Sequence, residues 1–304
     1  MASPTTDFRT TSAQVTFRSR LGEVIGYHEL LAGLVHKELK VRYKNSVLGF
    51  VWSLVNPAVT IGVYAIIFGV VFKNSIPQFA LFLMAGVLIF NMFQTGLASS
   101  CGAIVGNAPL VKKVWFPREI LPLASVGAAL VDFLLQGIVL VLAITLAALT
   151  IKGWTVAWFY LPLVPLAIIT ALLFTTALAV WLAAVNVQYR DMQHFLGIAL
   201  MVWFWGTPII YSINQVAKKL QPHGLGWLPY ANPLTPVVLA FQKALYGKPN
   251  ATVTVNGKPV PLLPAGGYPF YLGLLGAVSL FSFLLLLGSA RVFRRMEGDF
   301  AEEL

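Results

Sequence analysis

Charge is scarce in this sequence. Only 11% of its 304 residues are Asp, Glu, Lys or Arg, whereas soluble domains carry about 25%. With 58% hydrophobic residues and a mean hydropathy of +0.79, a disordered chain, a collagen and a coiled coil are excluded. Cysteine is nearly absent: Cys101 stands alone, so no internal disulfide can form and a disulfide scaffold is excluded. No Gly-x-x-x-x-Gly-Lys-Ser/Thr stretch occurs, which removes phosphate-loop binding of ATP. Cys-x-x-Cys, His-Glu-x-x-His and any cluster of carboxylates are also missing. His28, His36, His194 and His223 are scattered, so neither a metal site nor any bound cofactor is expected. No signal peptide is visible. Residues 1–20 are polar and rich in Ser and Thr, and the first long apolar run begins near Leu48. Residues 1–21 are expected to form a disordered cytoplasmic leader.

What the sequence has is apolar runs long enough to cross about 30 Å of hydrocarbon. Six are readable, at 48–72, 79–103, 119–148, 158–185, 195–213 and 268–290. The expected fold is an all-α membrane protein with six transmembrane helices over 46–304. An amphipathic interfacial helix over 22–45 precedes them. Re-entrant or external helices in the segment 214–267 come before the last span. The formal charge of +10 would suggest nucleic acid in a soluble protein. Here the basic residues flank apolar runs, so anionic lipid is the expected partner and nucleic acid is not. With the amino terminus inside, all nine arginines and five lysines fall on the cytoplasmic side and seven lysines outside. That bias predicts a multi-pass plasma (inner) membrane protein with both termini in the cytoplasm.

In the 22–45 helix, Val24, Tyr27, Leu30, Leu31, Leu34, Val35 and Leu39 share one stripe. Glu29, His36, Lys37, Lys40 and Lys44 fall opposite, as on a helix lying along the inner leaflet. The segment 214–267 holds no acidic residue and eight of the 18 prolines. In it Asn232-Pro233-Leu234-Thr235-Pro236 reads as a helix start with Thr235 as cap, and Gly247 as the stop. The stretch 236–246 is too short to span and fits a re-entrant helix buried at its inner end. Around Asn256-Gly257, residues 252–260 alternate as a small β-hairpin does.

Ionisable groups are almost missing from the spans. Asp132 is the exception, and no Lys or Arg shares a predicted span with it. It is expected to be a neutral or hydrogen-bonded structural residue, with Gln136 one turn on as partner; a role on a transport pathway is the alternative. Aromatic residues are plentiful: 8 Trp, 10 Tyr and 21 Phe. Trp52, Tyr64 and Phe68 fall in the first span, Phe90 and Phe93 in the second, and Trp203, Trp205 and Tyr211 in the fifth. An uncharged aromatic wall stacks on sugar rings and hydrogen-bonds hydroxyls without holding them tightly. For any one of these residues, anchoring at the lipid interface is the plainer reading.

Four stretches carry a resemblance. They are Glu38 to Gly49 continuing to Trp52 and Asn56-Pro57; Asn107 to Lys113 followed by Phe116-Pro117-Arg118-Glu119; Tyr189-Arg190-Asp191 leading to Thr207-Pro208-Ile209-Ile210-Tyr211; and Asn232 to Pro236. Together they resemble the permease subunit of bacterial polysaccharide ABC exporters, along residues 30–290. The resemblance implies a homodimer of six-span subunits joined to two copies of a separate ATPase subunit, which uses ATP and Mg2+. It implies a lipid-linked (polyprenyl-diphosphate) glycan as substrate, moved outward through the aromatic conduit. The actinobacterial members are the most similar, which implies a galactan destined for the cell wall. The loop 104–118 then contacts the ATPase through Asn107, Pro109, Lys112, Lys113, Phe116, Pro117 and Arg118, with Arg190 and Asp191 as further contacts. Lys37, Lys40, Arg42 and Lys44, at the leaflet surface, would receive the diphosphate. Three readings stand beside this one. They are a drug or small-lipid ABC permease, a polyprenyl-phosphate-dependent membrane enzyme, and a structural membrane anchor.

Overall fold

The computed structural model describes residues 17–44, 51–64, 66–68, 76–151, 157–246, 251–255 and 258–304. In chain order, α1 is Phe17–Gly26, α2 His28–Tyr43, α3 Trp52–Tyr64, α4 Phe79–Cys101, α5 Ala103–Gly106 and α6 Ala108–Lys113. Then follow α7 Ile120–Thr150, α8 Leu163–Gln188, α9 Met192–Gly206, α10 Ile213–Leu220 and α11 Leu234–Leu245. A hairpin of β1 Thr252–Val255 and β2 Lys258–Pro261 leads into α12 Tyr268–Met296 and the short α13 Phe300–Glu303. The hairpin is antiparallel, with Val253 opposite Val260.

Local chemistry sets the helix ends. Pro109 lies in the first turn of α6 and Pro269 in that of α12, where a missing N–H removes no helical bond. Lys112 and Lys113 close α6, and Arg294 and Arg295 close α12, each pair at the negative end of the helix dipole. Pro208 stands two residues beyond the end of α9, in buried backbone that is no longer helical.

The packing is apolar on the outside as well as the inside. Leu134, Ile138, Val141, Leu142, Leu146 and Leu149 of α7 are exposed, as are Leu280, Phe281, Phe283 and Leu284 of α12. Such continuous apolar faces would aggregate in water and are what a helix presents to lipid tails. The interior is close-packed through small residues. α4 is the central helix, with 16 of its 23 residues buried against α7, α8, α9 and α11. A Cβ on Gly96 would stand 2.9 Å from Thr175 Cγ2, and one on Gly127 would stand 2.9 Å from Val35 Cγ2. Helices that cannot be driven together by water approach through such positions. A second cluster gathers Leu34, Ile104, Val111, Phe116, Phe293 and Phe300 where α2, α6 and the carboxyl-terminal turn meet.

Several sequence expectations change here. Among the described residues four helices are long and apolar enough to cross a membrane: α4, α7, α12, and α8 counted from Trp158. The predicted first and fifth spans are represented by α3 and α9, of 13 and 15 residues. At 1.5 Å per residue α9 reaches about 23 Å, short of the hydrocarbon thickness, whereas around α3 residues 66–68 are again helical and 45–50, 65 and 69–75 lie outside the described residues. Helix begins at Phe17, inside the stretch expected to be disordered. The single helix over 22–45 is two helices broken at Tyr27, and the second packs along α7. α11 starts at Leu234, and Thr235 lies inside its first turn rather than at its cap. The Asn232 Oδ1 accepts from the Leu234 N–H at 3.0 Å instead. Every residue of α11 from Leu234 to Ala244 is buried, not its inner end alone. The leader up to residue 16, Asn45 to Gly49, Lys73, Lys152, Gly247, Lys248 and Asn256-Gly257 lie outside the described residues.

Candidate functional site

Two of the basic residues of α2, Lys37 and Arg42, are engaged with the bundle. Arg42 forms an ion pair with Asp132 of α7, donates to Ser99 Oγ of α4 at 3.0 Å, and lies 3.9 Å from Glu38. Glu38 in turn accepts from Ser125 Oγ at 2.6 Å. Lys37 Nζ donates to Asn107 Oδ1 at 2.7 Å, which ties α2 to the residue preceding α6. Asp132 therefore has a cationic partner, contrary to expectation, because α2 folds back on α7 and brings an arginine from outside the spans. The same contact holds Arg42 in a fixed pair, although the residue as a whole stays exposed. Lys40 and Lys44 keep exposed side chains.

The loop after α4 divides by burial. Lys112, Lys113 and Pro109 are exposed, whereas Phe116 and Pro117 are buried. The buried pair holds the loop to the bundle. Arg118 donates to the Glu297 carbonyl and lies 5.8 Å from the Phe300 ring centre. Arg190 donates to the Glu303 carbonyl at 3.3 Å, and Asp191 is exposed at the start of α9. The sequence reading missed Val114 and Trp115, 52% and 75% exposed in the middle of this loop. An apolar pair between Lys113 and Phe116 was its only signal.

Most of the predicted aromatic residues come together, as one contiguous seam. Tyr64 lies 6.2 Å from Phe68 and 6.1 Å from Phe204. Phe204 meets Phe90 at 5.1 Å, and Phe90 meets Phe93 at 6.0 Å. Phe93 stacks on Phe174 at 5.6 Å and meets Trp203 edge-on at 5.2 Å. Phe174 of α8 was not foreseen. Its helix is apolar nearly all round, so nothing in its periodicity marks one face. Phe90 and Phe93 are enclosed, 1% and 0% exposed, so within this chain they back a wall and do not form its surface. Trp52 and Trp205 face outward, 51% and 54% exposed. Tyr211 is half-buried and its O–H donates to the Trp205 carbonyl at 2.9 Å.

Asn232 locks the seam to the segment before the last span. Its Oδ1 accepts from Trp203 Nε1 at 2.9 Å, and its Nδ2 donates to Thr207 Oγ1 at 2.9 Å and the Gly206 carbonyl at 3.2 Å. At the other end of α11, the buried Lys243 ammonium lies 5.2 Å from the ring centre of Tyr160, in the turn before α8, and burial lowers its pKa from the usual lysine value. These contacts hold α9, α11 and the residues after α9 as one piece.

A bundle apolar on its outside, a loop with exposed lysines and an aromatic seam fit a membrane transport subunit. The comparisons agree. The chain is 34% identical over 224 residues to the O-antigen export system permease protein RfbA of Myxococcus xanthus, covering 74% of this chain and 83% of that one. To the protein of the same name from Klebsiella pneumoniae it is 30% identical over 220 residues, covering 72% and 81%. To the polysialic acid transport protein KpsM of Escherichia coli it is 25% identical over 214 residues, covering 69% and 78%. Residues 29–246, from the second residue of α2 to just past α11, match the ABC-2 type transporter family. The chain belongs to the ABC-2 type transporter family.

Proposed function

We propose that this chain is the membrane-spanning subunit of an exporter that moves a lipid-linked polysaccharide from the cytoplasm across the plasma membrane. The likeness to the O-antigen export permease, along 83% of that protein, carries the reading. The chain is not an enzyme. ATP and Mg2+ act on a separate ATPase subunit, present in two copies against a homodimer of this chain. Both termini lie in the cytoplasm, which puts the 104–118 loop and the Arg190 turn on the ATPase side.

In this reading ATP-driven closure of the ATPase pair pushes on the exposed Lys112, Pro109 and Lys113 of α6. The ties from Lys37 to Asn107 and from Arg42 to Asp132 pass that displacement to α2 and α7 as rigid pieces. The exposed faces of α3 and α9, carrying Trp52 and Trp205, meet their counterparts in the second copy and border the path. Lys40 and Lys44 attract the diphosphate at the inner leaflet. Uncharged aromatic rings suit a moving sugar chain, because they stack on it without a fixed ionic contact.

The test is transport by the chain and its ATPase subunit together in inverted membrane vesicles. A polyprenyl-diphosphate-linked glycan, with a cell-wall galactan as the first tried, should be translocated in the presence of ATP and Mg2+. Turnover stimulated only by drugs or small lipids, with no glycan movement, would sink the proposal.

A further inference from the structure

We propose that the carboxyl-terminal turn of this chain is the second wall of its ATPase-docking surface, and that the groove it forms takes an acidic segment of the ATPase subunit. The inference rests on the reading above that such a subunit is present. It adds a contact that the four sequence stretches did not contain, since they end at Pro236, before α12.

Between the loop after α6 and the end of α12 lies a groove of about 790 Å³. Lys112, Lys113, Trp115 and Arg118 line one side, and Arg294, Glu297 and Gly298 the other. Among the lining residues four are cationic and one, Glu297, is a carboxylate; of the four, Arg118 is already engaged with the Glu297 carbonyl and the Phe300 ring. Complementary charge favours an acidic visitor and speeds its arrival. Trp115, mostly exposed, offers the large aromatic surface on which interfaces concentrate their binding energy. The fitting occupant is an acidic turn that carries one apolar side chain.

The second wall is built into the fold. Phe300 is fully buried and meets Phe293 edge-on at 5.4 Å. Arg118, from the loop before α7, reaches the Glu297 carbonyl and lies over the Phe300 ring. Arg190, from the turn before α9, reaches the Glu303 carbonyl. One short carboxyl-terminal element thus fastens both loops that separate α6 from α7 and α8 from α9. A subunit seated in the groove would press on α12 as well as on the loop, so the last helix shares the stroke.

Gly298 gives a clean test. A Cβ there would meet nothing within 4 Å, and its backbone is not in the left-handed region, so a large side chain can be placed without strain in the fold. The full-length chain is held in lipid nanodiscs, and binding of its purified ATPase subunit is measured. Gly298→Trp fills the groove and should weaken binding about tenfold with an unchanged melting temperature. Arg294→Glu should weaken it comparably and reduce its dependence on salt. Binding of both variants at the wild-type affinity would overturn the proposal. So would a loss of bound phosphatidylglycerol in Gly298→Trp with ATPase binding intact, which would give the groove to lipid. Failure of the unaltered chain to bind any ATPase subunit would remove the functional reading itself, and this inference with it.

Discussion

Arg42 of α2 and Asp132 of α7, 90 residues apart in sequence, are joined as an ion pair, with Ser99 of α4 as the arginine's second partner. A carboxylate in a membrane helix costs up to about 2.5–3.5 kcal/mol, the figure for the helix centre on insertion scales, and a paired cation offsets part of that. The pair makes α2 a fixed part of the bundle. A helix that only floated on the leaflet would slide independently of α7. This one is tied to α7, and the Lys37–Asn107 bond and the Leu34 contact tie it to the start of α6 as well.

The pair should show energetic coupling. Replacing either Arg42 or Asp132 by Ala leaves the other partly buried charge uncompensated, which costs about 1–3 kcal/mol. The double replacement should cost less than the sum of the two. Thermal unfolding of the four variants in detergent measures the difference. Additive losses would show that the two groups are adjacent without interacting.

Close helix approach makes a second prediction. Gly127→Val should push α2 away from α7 and Gly96→Val should part α4 from α8, each destabilising by about 1–3 kcal/mol. Gly137→Val is the control, since a Cβ at that position meets nothing within 4 Å. Melting temperatures compare the three. Equal effects at all of them would mean that the loss of glycine, and not the contact, was being read.

Exposed and buried aromatics should fail differently. Trp52→Ala and Trp205→Ala are expected to lower glycan export while the amount of assembled complex stays unchanged. Phe93→Ala removes the centre of the stack with Phe174 and Trp203 and should cost about 3–5 kcal/mol of stability. Export normalised to complex in the membrane separates the two classes. Full export by both tryptophan variants would take those residues off the path.

Asn232 offers a local readout. Asn232→Ala strips partners from Trp203, Thr207 and the Leu234 N–H, a loss of about 1–3 kcal/mol. Asn232→Asp keeps the acceptor and loses the donor, so it should lie between the two. Hydrogen exchange over residues 201–212 should accelerate in the same order. Unaltered exchange in Asn232→Ala would show that the junction is held by packing alone.

Much of this was legible from the order of residues. The bounds of α4, α7, α8 and α12 follow from runs of apolar residues punctuated by prolines and by basic clusters. The hairpin follows from alternation on either side of a turn dipeptide. These are local properties: a residue's neighbours in the chain decide whether its backbone can be helical and whether it belongs in lipid. The site was legible in its ingredients more than in its arrangement. Tyr64, Phe68, Phe90, Phe93 and Trp203 do gather, yet two of them are sealed inside. Lys112 and Lys113 are exposed as expected, yet Phe116 and Pro117 beside them are not.

The sequence by itself determined that the protein is a helical membrane protein, that it carries no phosphate loop of its own, and which residue types line its spans. Hydrophobicity and charge bias are sums over neighbouring residues, and such sums need no fold. Only the tertiary structure decided that Arg42 reaches Asp132, that Phe93 turns to Phe174, and that Phe300 lies under Arg118. A helix apolar on every side gives no phase to its own pattern. Which face turns inward is settled by the shape of the helices beside it, where a glycine admits a neighbour and a phenylalanine fills the gap.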